Sequence, residues 1–197
     1  MSTKNKIVEF MKEQAYKPLT AEELLDEFNI PARDRDKFLS LLEKMENDGL
    51  IIKNRKERYG VPARMDLVVG RLQGHAKGFG FLIPDNPEQE DVYISIEDID
   101  GAMHNDRVVV RLIGEKKGKS TAGEVIKILE RANHQIVGEY EDSGDFGFVV
   151  PDDGKIFHDV FVPKSQSKGA QEGEKVVVKI NRWPAKRRNP EGEIIEN

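Results

Sequence analysis

Phe79 and Phe81 flank a glycine in the run Lys77-Gly78-Phe79-Gly80-Phe81-Leu82, and Tyr93 follows in Asp91-Val92-Tyr93-Ile94-Ser95. A strand has a side-chain period of two, so Phe79 and Phe81 share one face. Tyr93 joins them if the two runs pair. Aromatic faces stack on nucleobases, and the neighbouring Lys77 carries a charge suited to phosphate. The chemistry these residues could do together is the holding of a single nucleic-acid strand. The competing reading places Phe79 and Phe81 in a barrel core. Leu82, Val92 and Ile94 already supply an apolar face to both runs, which leaves the aromatics as a surplus. Gly80 is expected to keep the backbone open to a partner.

The elements that must carry these residues recur. Asp145-Phe146-Gly147-Phe148-Val149-Val150-Pro151-Asp152 matches the run from Gly78 to Asp85, and Asp159-Val160-Phe161-Val162 matches Asp91 to Ile94. Gly169-Ala170 repeats Gly101-Ala102, the valines 176–178 repeat 108–110, and Gly192-Glu193-Ile194-Ile195 repeats Gly123-Glu124-Val125-Ile126. The offset stays at 67 to 69 residues throughout, which makes this one domain duplicated in tandem, with two copies too few for a solenoid. The first copy, 66–131, reads as five strands: Leu67 to Gln73, the two aromatic runs, Val108 to Ile113 and Glu124 to Leu129. Five strands without a long helix suit an oligonucleotide-binding barrel. Residues 132–197 repeat the plan. Between the fourth and fifth strands the first copy holds Lys116, Lys117 and Lys119, and the second holds Lys186, Arg187 and Arg188. That loop rims the binding face of such a barrel, and basic clusters at equivalent places point to phosphate contact. Trp183 is either a further stacking group or packing for its own loop.

Residues 1–65 read differently. An amphipathic helix is expected over 4–15, with Ile7, Phe10 and Met11 on one face. Thr20 and Glu23 form a capping box ahead of a short helix burying Leu24, Leu25 and Phe28. A third helix runs from Pro31 to about Asn47, with Phe38, Leu41, Leu42 and Met45 as its apolar stripe, and Gly49 ends it. A hairpin follows, with strands Leu50 to Lys53 and Arg58 to Val61. Three helices and a hairpin make a winged helix-turn-helix. Arg33, Arg35 and Lys37 alternate with Asp34 and Asp36, so the third helix reads a groove poorly. The hairpin carries Lys53, Arg55, Lys56 and Arg58, which suit either phosphates or a solvated, protein-docking face.

Composition narrows the function classes. The 197 residues carry a net charge of −5, so no region is globally basic and non-specific electrostatic binding is weak. Residues 1–65 hold 13 basic and 12 acidic side chains, residues 66–130 hold 8 and 12, and residues 131–197 hold 10 and 12. Nucleic-acid contact must therefore use local patches and stacking. No cysteine is present, which removes disulfides and thiolate chemistry and fits a reducing cytosol. No apolar run reaches membrane-spanning length and no signal peptide opens the chain, so no membrane partner is expected. The acidic residues from 88 to 100 are dispersed, His75, His104, His134 and His158 form no ligand-type pair, and no phosphate-cradling Gly-rich loop with Lys-Ser/Thr occurs. No catalytic residue, metal or cofactor is expected in this chain.

At the aromatic runs the chain resembles cold-shock domains. Lys77 to Phe81 is similar to their first ribonucleoprotein motif and Asp91 to Ile94 to their second, which implies that Phe79, Phe81 and Tyr93 stack on bases. Ser95 stands where such domains have a histidine, and Gly74 stands near the place of their tryptophan. The second copy keeps Phe146, Phe148 and Phe161 but has Gly144-Asp145 in place of Lys77-Gly78, with Asp142 nearby, so its platform is expected to be the weaker. The whole order, winged helix then two such barrels, resembles the N-terminal region of bacterial ribonuclease R. That resemblance implies a cytoplasmic, hydrolytic 3′→5′ exoribonuclease of structured RNA, with a magnesium-dependent catalytic domain expected after residue 197. This region would load RNA and help to unwind it. Two other classes remain open: a stand-alone RNA chaperone or translation regulator built from cold-shock domains, and a winged-helix DNA-binding regulator. Oligomeric state and RNA sequence preference are not legible.

Overall fold

The computed structural model describes residues 2–13, 16–115 and 121–197. It divides into two compact units, Met1–Val69 and Gly70–Asn197. None of the described helices is long and apolar enough to cross a membrane.

The first unit holds α1 (Thr3–Lys12), β1 (Leu19–Thr20), α2 (Ala21–Glu27), α3 (Arg35–Asn47), β2 (Ile52–Lys53) and β3 (Arg58–Gly60). Ser2 caps α1 by accepting from the Asn5 amide. The helix is shorter than its apolar pattern, ending at Lys12. Thr20 and Glu23 make the expected reciprocal capping box. Pro31 opens a turn of 3₁₀ helix (Ala32–Asp34), and α3 begins only at Arg35. Ile7, Met11, Leu24, Leu25, Phe38, Leu42 and Met45 interlock as one core. The sheet order is β1-β3-β2, so the hairpin gains a third strand at Leu19–Thr20. Among the described residues the unit holds three α-helices and a three-stranded sheet.

β4 (Leu67–Gly74), which begins at the end of the first unit, closes with β5 (Gly80–Pro84), β6 (Val92–Ile94), β7 (Arg107–Glu115) and β8 (Thr121–Glu130) of the second into a barrel ordered β4-β5-β6-β8-β7. The same closed order is repeated by β9 (Gln135–Asp142), β10 (Phe146–Pro151), β11 (Val160–Pro163), β12 (Lys175–Arg182) and β13 (Glu191–Glu196). Each barrel pairs its third strand with its fifth in parallel. Inward positions are small and branched: Leu72, Leu82, Val92, Ile94, Val108 and Val110 are buried in the first, Val149, Val160, Val162, Val176 and Val178 in the second.

The glycines between the aromatics serve this interior. A Cβ on Gly80 would lie 2.8 Å from the Gln73 carbonyl oxygen and 3.0 Å from Leu72 Cδ1. On Gly147 it would lie within 2.6 Å of the phenol oxygen and two ring carbons of Tyr140, itself fully buried. The expectation that Gly80 opens the backbone to a partner is therefore corrected. Period two turns the glycine inward while its neighbours face out, and the space it leaves is filled by the core.

The two barrels are joined by a buried polar knot. Asp106, with no exposed surface, accepts from the Met103 amide at 2.9 Å, the Ala132 amide at 2.9 Å and Arg131 Nη1 at 3.2 Å. Arg131 also donates to the Gly101 carbonyl, and Asn133 donates to the His104 carbonyl. Met103, from the first barrel, packs into the core of the second. Trp183 is partly buried against that same core, with the Arg131 guanidinium 4.7 Å from its ring centre and His134 edge-on at 5.4 Å. It packs its loop down.

His104 Nδ1 accepts from the Gly74 amide at 3.0 Å, which requires that nitrogen to be unprotonated. Burial is the main cause holding its pKa below the usual 6.5; Lys155 and Arg71 act the same way, and Asp153 and Asp106 oppose them. As pH falls through about 6.5, the unfolded chain takes this proton before the native one. The stability His104 contributes is thus complete above about pH 6.5 and declines below it, down to its depressed native value. His158 is shifted the same way by burial. His104→Asn keeps an acceptor without the titration. Urea unfolding midpoints should fall more for the parent chain than for His104→Asn between about pH 7.5 and about pH 5.5. Parallel pH profiles would contradict this account of the junction.

Candidate nucleic-acid interface

Phe81 and Tyr93 are direct cross-strand partners on β5 and β6, and Phe148 and Phe161 are partners on β10 and β11. Phe79 lies one residue ahead of β5, whereas Phe146 is the first residue of β10. The rings form two triads of nearly equal geometry. In the first, Phe79–Phe81 centroids are 6.0 Å apart at 88°, Phe79–Tyr93 5.8 Å at 41° and Phe81–Tyr93 5.7 Å at 64°. In the second, Phe146–Phe148 are 5.8 Å apart at 89°, Phe146–Phe161 5.5 Å at 35° and Phe148–Phe161 5.8 Å at 69°. Phe79, Phe81, Tyr93, Phe148 and Phe161 are half-buried and Phe146 is exposed. They form the outer surface of the barrels, not their core. Edge-to-face contacts of this kind fix ring positions and leave faces open to a third ring system.

His75 belongs to the first surface and was not legible as a member of it. Its ring lies 4.2 Å from that of Phe79 at 16°, a parallel stack. It is held there by its turn, where His75 Nδ1 accepts from the Lys77 amide at 3.1 Å and its carbonyl from the Gly78 amide at 2.9 Å. Asp142 does the same local job in the second copy, accepting from the Gly144 amide at 3.0 Å. Aligning the two copies puts His75 opposite Asp142, and that pairing was the available signal. Lys77 is exposed at the same turn.

The basic loops divide. Lys116, Lys117 and Lys119 lie outside the described residues. Lys186, Arg187 and Arg188 form a tight turn closed by reciprocal backbone bonds between Ala185 and Arg188, at 3.2 and 3.0 Å, with Arg187 in the left-handed region at φ +63°. Arg187 and Arg188 line a pocket of about 440 Å³ with Phe148, Phe161 and Arg182. Arg182 is the second residue missed. Counting by twos from Val176, Val178 and Ile180 turns it inward, but a register shift between Ile180 and Arg182 breaks the count and leaves it exposed. Asp142, the expected repulsive neighbour, lies 3.6 Å from Lys164 Nζ. The second platform thus carries more local positive charge than its motif suggested.

On the hairpin, Lys53 pairs with Glu57 and Arg58 with Glu23, each at 3.1 Å, while Arg55 and Lys56 stand exposed at the tip. Arg35 on α3 is engaged by Glu22. Among the described residues no group of carboxylates and histidines is arranged to hold a metal ion.

Family models match both barrels, a ribonuclease B OB domain over residues 70–128 and a cold shock domain over residues 148–197. Ribonuclease R of Acidithiobacillus ferrooxidans is 34% identical over 182 residues, and that of Thermotoga maritima 34% identical over 195. The chain is homologous to the N-terminal region of ribonuclease R. The alignments take in 91% and 98% of this chain, but only 41% and 27% of the two ribonuclease R relatives. The solved structure of Mycoplasma genitalium RNase R in complex with ribose methylated single-stranded RNA superposes on 66% of the chain with a TM-score of 0.57. It covers 21% of that structure at 18% identity and bears on the fold alone.

Each cation that touches phosphate releases counterions, so log affinity falls with log salt by about 0.7 per contact on a single strand. Arg182→Ala should weaken single-stranded RNA binding and flatten the salt dependence by roughly one contact. Titrations at several salt concentrations check this, and an unchanged slope would place Arg182 off the path of the strand.

Proposed function

We propose that this chain is the RNA-binding region of a ribonuclease R-like 3′→5′ exoribonuclease, working in the cytoplasm. It holds single-stranded RNA on the two aromatic triads, loads it toward a catalytic domain of the same protein and helps to open structured RNA. The observation that carries this reading is the duplication of the triads with matched ring geometry on the outer face of both barrels. Both triads lie outside the buried cores, where their faces can receive stacked bases. Arg182, Arg187 and Arg188 beside the second triad add phosphate contacts. Hydrolysis belongs to the part of such enzymes that this chain does not span, and magnesium would act there. The first unit is read as a winged helix-turn-helix whose hairpin tip, Arg55 and Lys56, supplies a weaker, screened contact.

Phe79→Ala, Phe81→Ala, Tyr93→Ala, Phe148→Ala and Phe161→Ala should each weaken binding of single-stranded RNA by about 1–3 kcal/mol. Their fold should persist, because the rings lie outside the barrel cores. Fluorescence anisotropy with circular dichroism on the same samples checks both. Folded variants that keep full affinity would refute the stacking role.

A further inference from the structure

Gly101 and Gly169 occupy the same turn in the two barrels. Each follows a residue in the left-handed region, Asp100 at φ +43° and Lys168 at φ +49°, and each is itself left-handed, at φ +78° and φ +71°. A backbone bond from the next residue closes each turn, Ala102 to the Ile99 carbonyl at 3.0 Å and Ala170 to the Ser167 carbonyl at 2.9 Å. Their surroundings differ. Among the described residues, a Cβ on Gly169 would meet nothing within 4 Å, and Gly169 is exposed. A Cβ on Gly101 would collide with the Pro184 carbonyl oxygen and lie 3.5 Å from Ala185 Cα, and Gly101 is buried. The atoms it would strike are backbone, so they yield only if the chain at 184–185 moves. Turn conformation alone does not account for this contact, because Gly169 keeps the same conformation without one. Gly101 gives the first barrel a bare backbone face on which the second barrel's chain rests at Pro184.

Pro184 is where the basic turn begins. Arg131 ties this point to the same glycine: its Nη1 donates to the Gly101 carbonyl at 2.7 Å, and its guanidinium lies 4.7 Å from the Trp183 ring centre. Arg131 is itself paired with the buried Asp106. Arg188 Nη2 then donates to the Trp183 carbonyl at 3.2 Å, and the two Ala185–Arg188 backbone bonds close the turn. We propose that Gly101, Arg131 and Trp183 are positioning residues for the phosphate-binding turn of the second platform, so that the first barrel sets where Arg187 and Arg188 present their charge beside Phe148 and Phe161. The inference rests on the stacking function proposed above and adds that the grip of one platform is governed by its neighbour. Cations on a free loop lose part of their binding energy in being ordered when the strand arrives; a seated turn avoids that loss.

The test uses the full chain and a labelled oligouridylate of about 12 nucleotides, titrated at several salt concentrations, with circular dichroism on the same samples. Gly101→Ala and Gly169→Ala impose the same left-handed strain on an alanine, but only the first displaces the turn. Gly101→Ala should weaken binding about fivefold at low salt and flatten the dependence of log affinity on log salt by roughly one to two phosphate contacts, about 0.7 each. Gly169→Ala should change affinity by less than about twofold and leave the slope unmoved. Trp183→Leu should flatten the slope as Gly101→Ala does, and Trp183→Phe, which keeps a ring for Arg131, should restore it; this pair carries the test if Gly101→Ala does not fold. Equal behaviour of the two glycine variants, or a loss of affinity at unchanged slope, would overturn the positioning role; the second result from Trp183→Leu would make Trp183 a stacking group instead. Failure of the parent chain to bind would overturn the stacking function and this inference together, whereas a binding parent with an unmoved slope in the variants would overturn this inference alone.

Discussion

Three aromatic rings on the outside of a barrel this small are a cost that the rest of the second unit is arranged to accommodate. Apolar surface left in water forgoes roughly 25 cal/mol per Å². The rings recover part of this by packing edge-on or tilted against one another, with centroids 5.5–6.0 Å apart across the two triads. They cannot turn inward, because Tyr140 closes against Gly147 and Leu72 against Gly80. The same sequence period that turns branched residues in turns the aromatics out. The surface is consequently preorganised, and stacking on it requires little further ordering of side chains.

The junction between the two barrels is held by buried polar contacts. Asp106 is a buried carboxylate whose oxygens are taken by two backbone amides and one guanidinium. Burial drives its pKa up and the amide and Arg131 bonds pull it back. Removing either ionic partner would leave a buried charge without compensation, which is why such pairs are costly to break. Trp183 is drawn into this arrangement by Arg131, and Arg188 donates to the Trp183 carbonyl. The basic turn at 185–188 is therefore anchored through the same residues that hold the barrels together.

Much of this was legible in the sequence because it was written twice. The tandem offset located the strands, and period-two reasoning placed Phe79, Phe81, Tyr93, Phe146, Phe148 and Phe161 outside. The parts that escaped did so for identifiable reasons. His75 joins Phe79 through a turn, and turns carry no periodic signal. Arg182 sits beyond a register shift that reverses strand parity. Phe157 lies against the Gly78 turn of the other barrel, and a long-range contact between copies leaves no trace in the pattern of either. Gly80 was correctly singled out for the wrong reason, since spacing shows that a side chain is unwelcome but not from which side. The motif turn ranks the second platform lower, and Arg182, which the period count turned inward, joins the basic turn at 186–188 already legible in its loop.

The most direct test of the central claim is a map of photo-crosslinks between the chain and a single-stranded RNA carrying photoreactive uridines, read by mass spectrometry. Crosslinks should fall on Phe79, Phe81, Tyr93, Phe148 and Phe161 in the second unit. Crosslinks confined to the helical first unit, with none on either aromatic triad, would contradict the account.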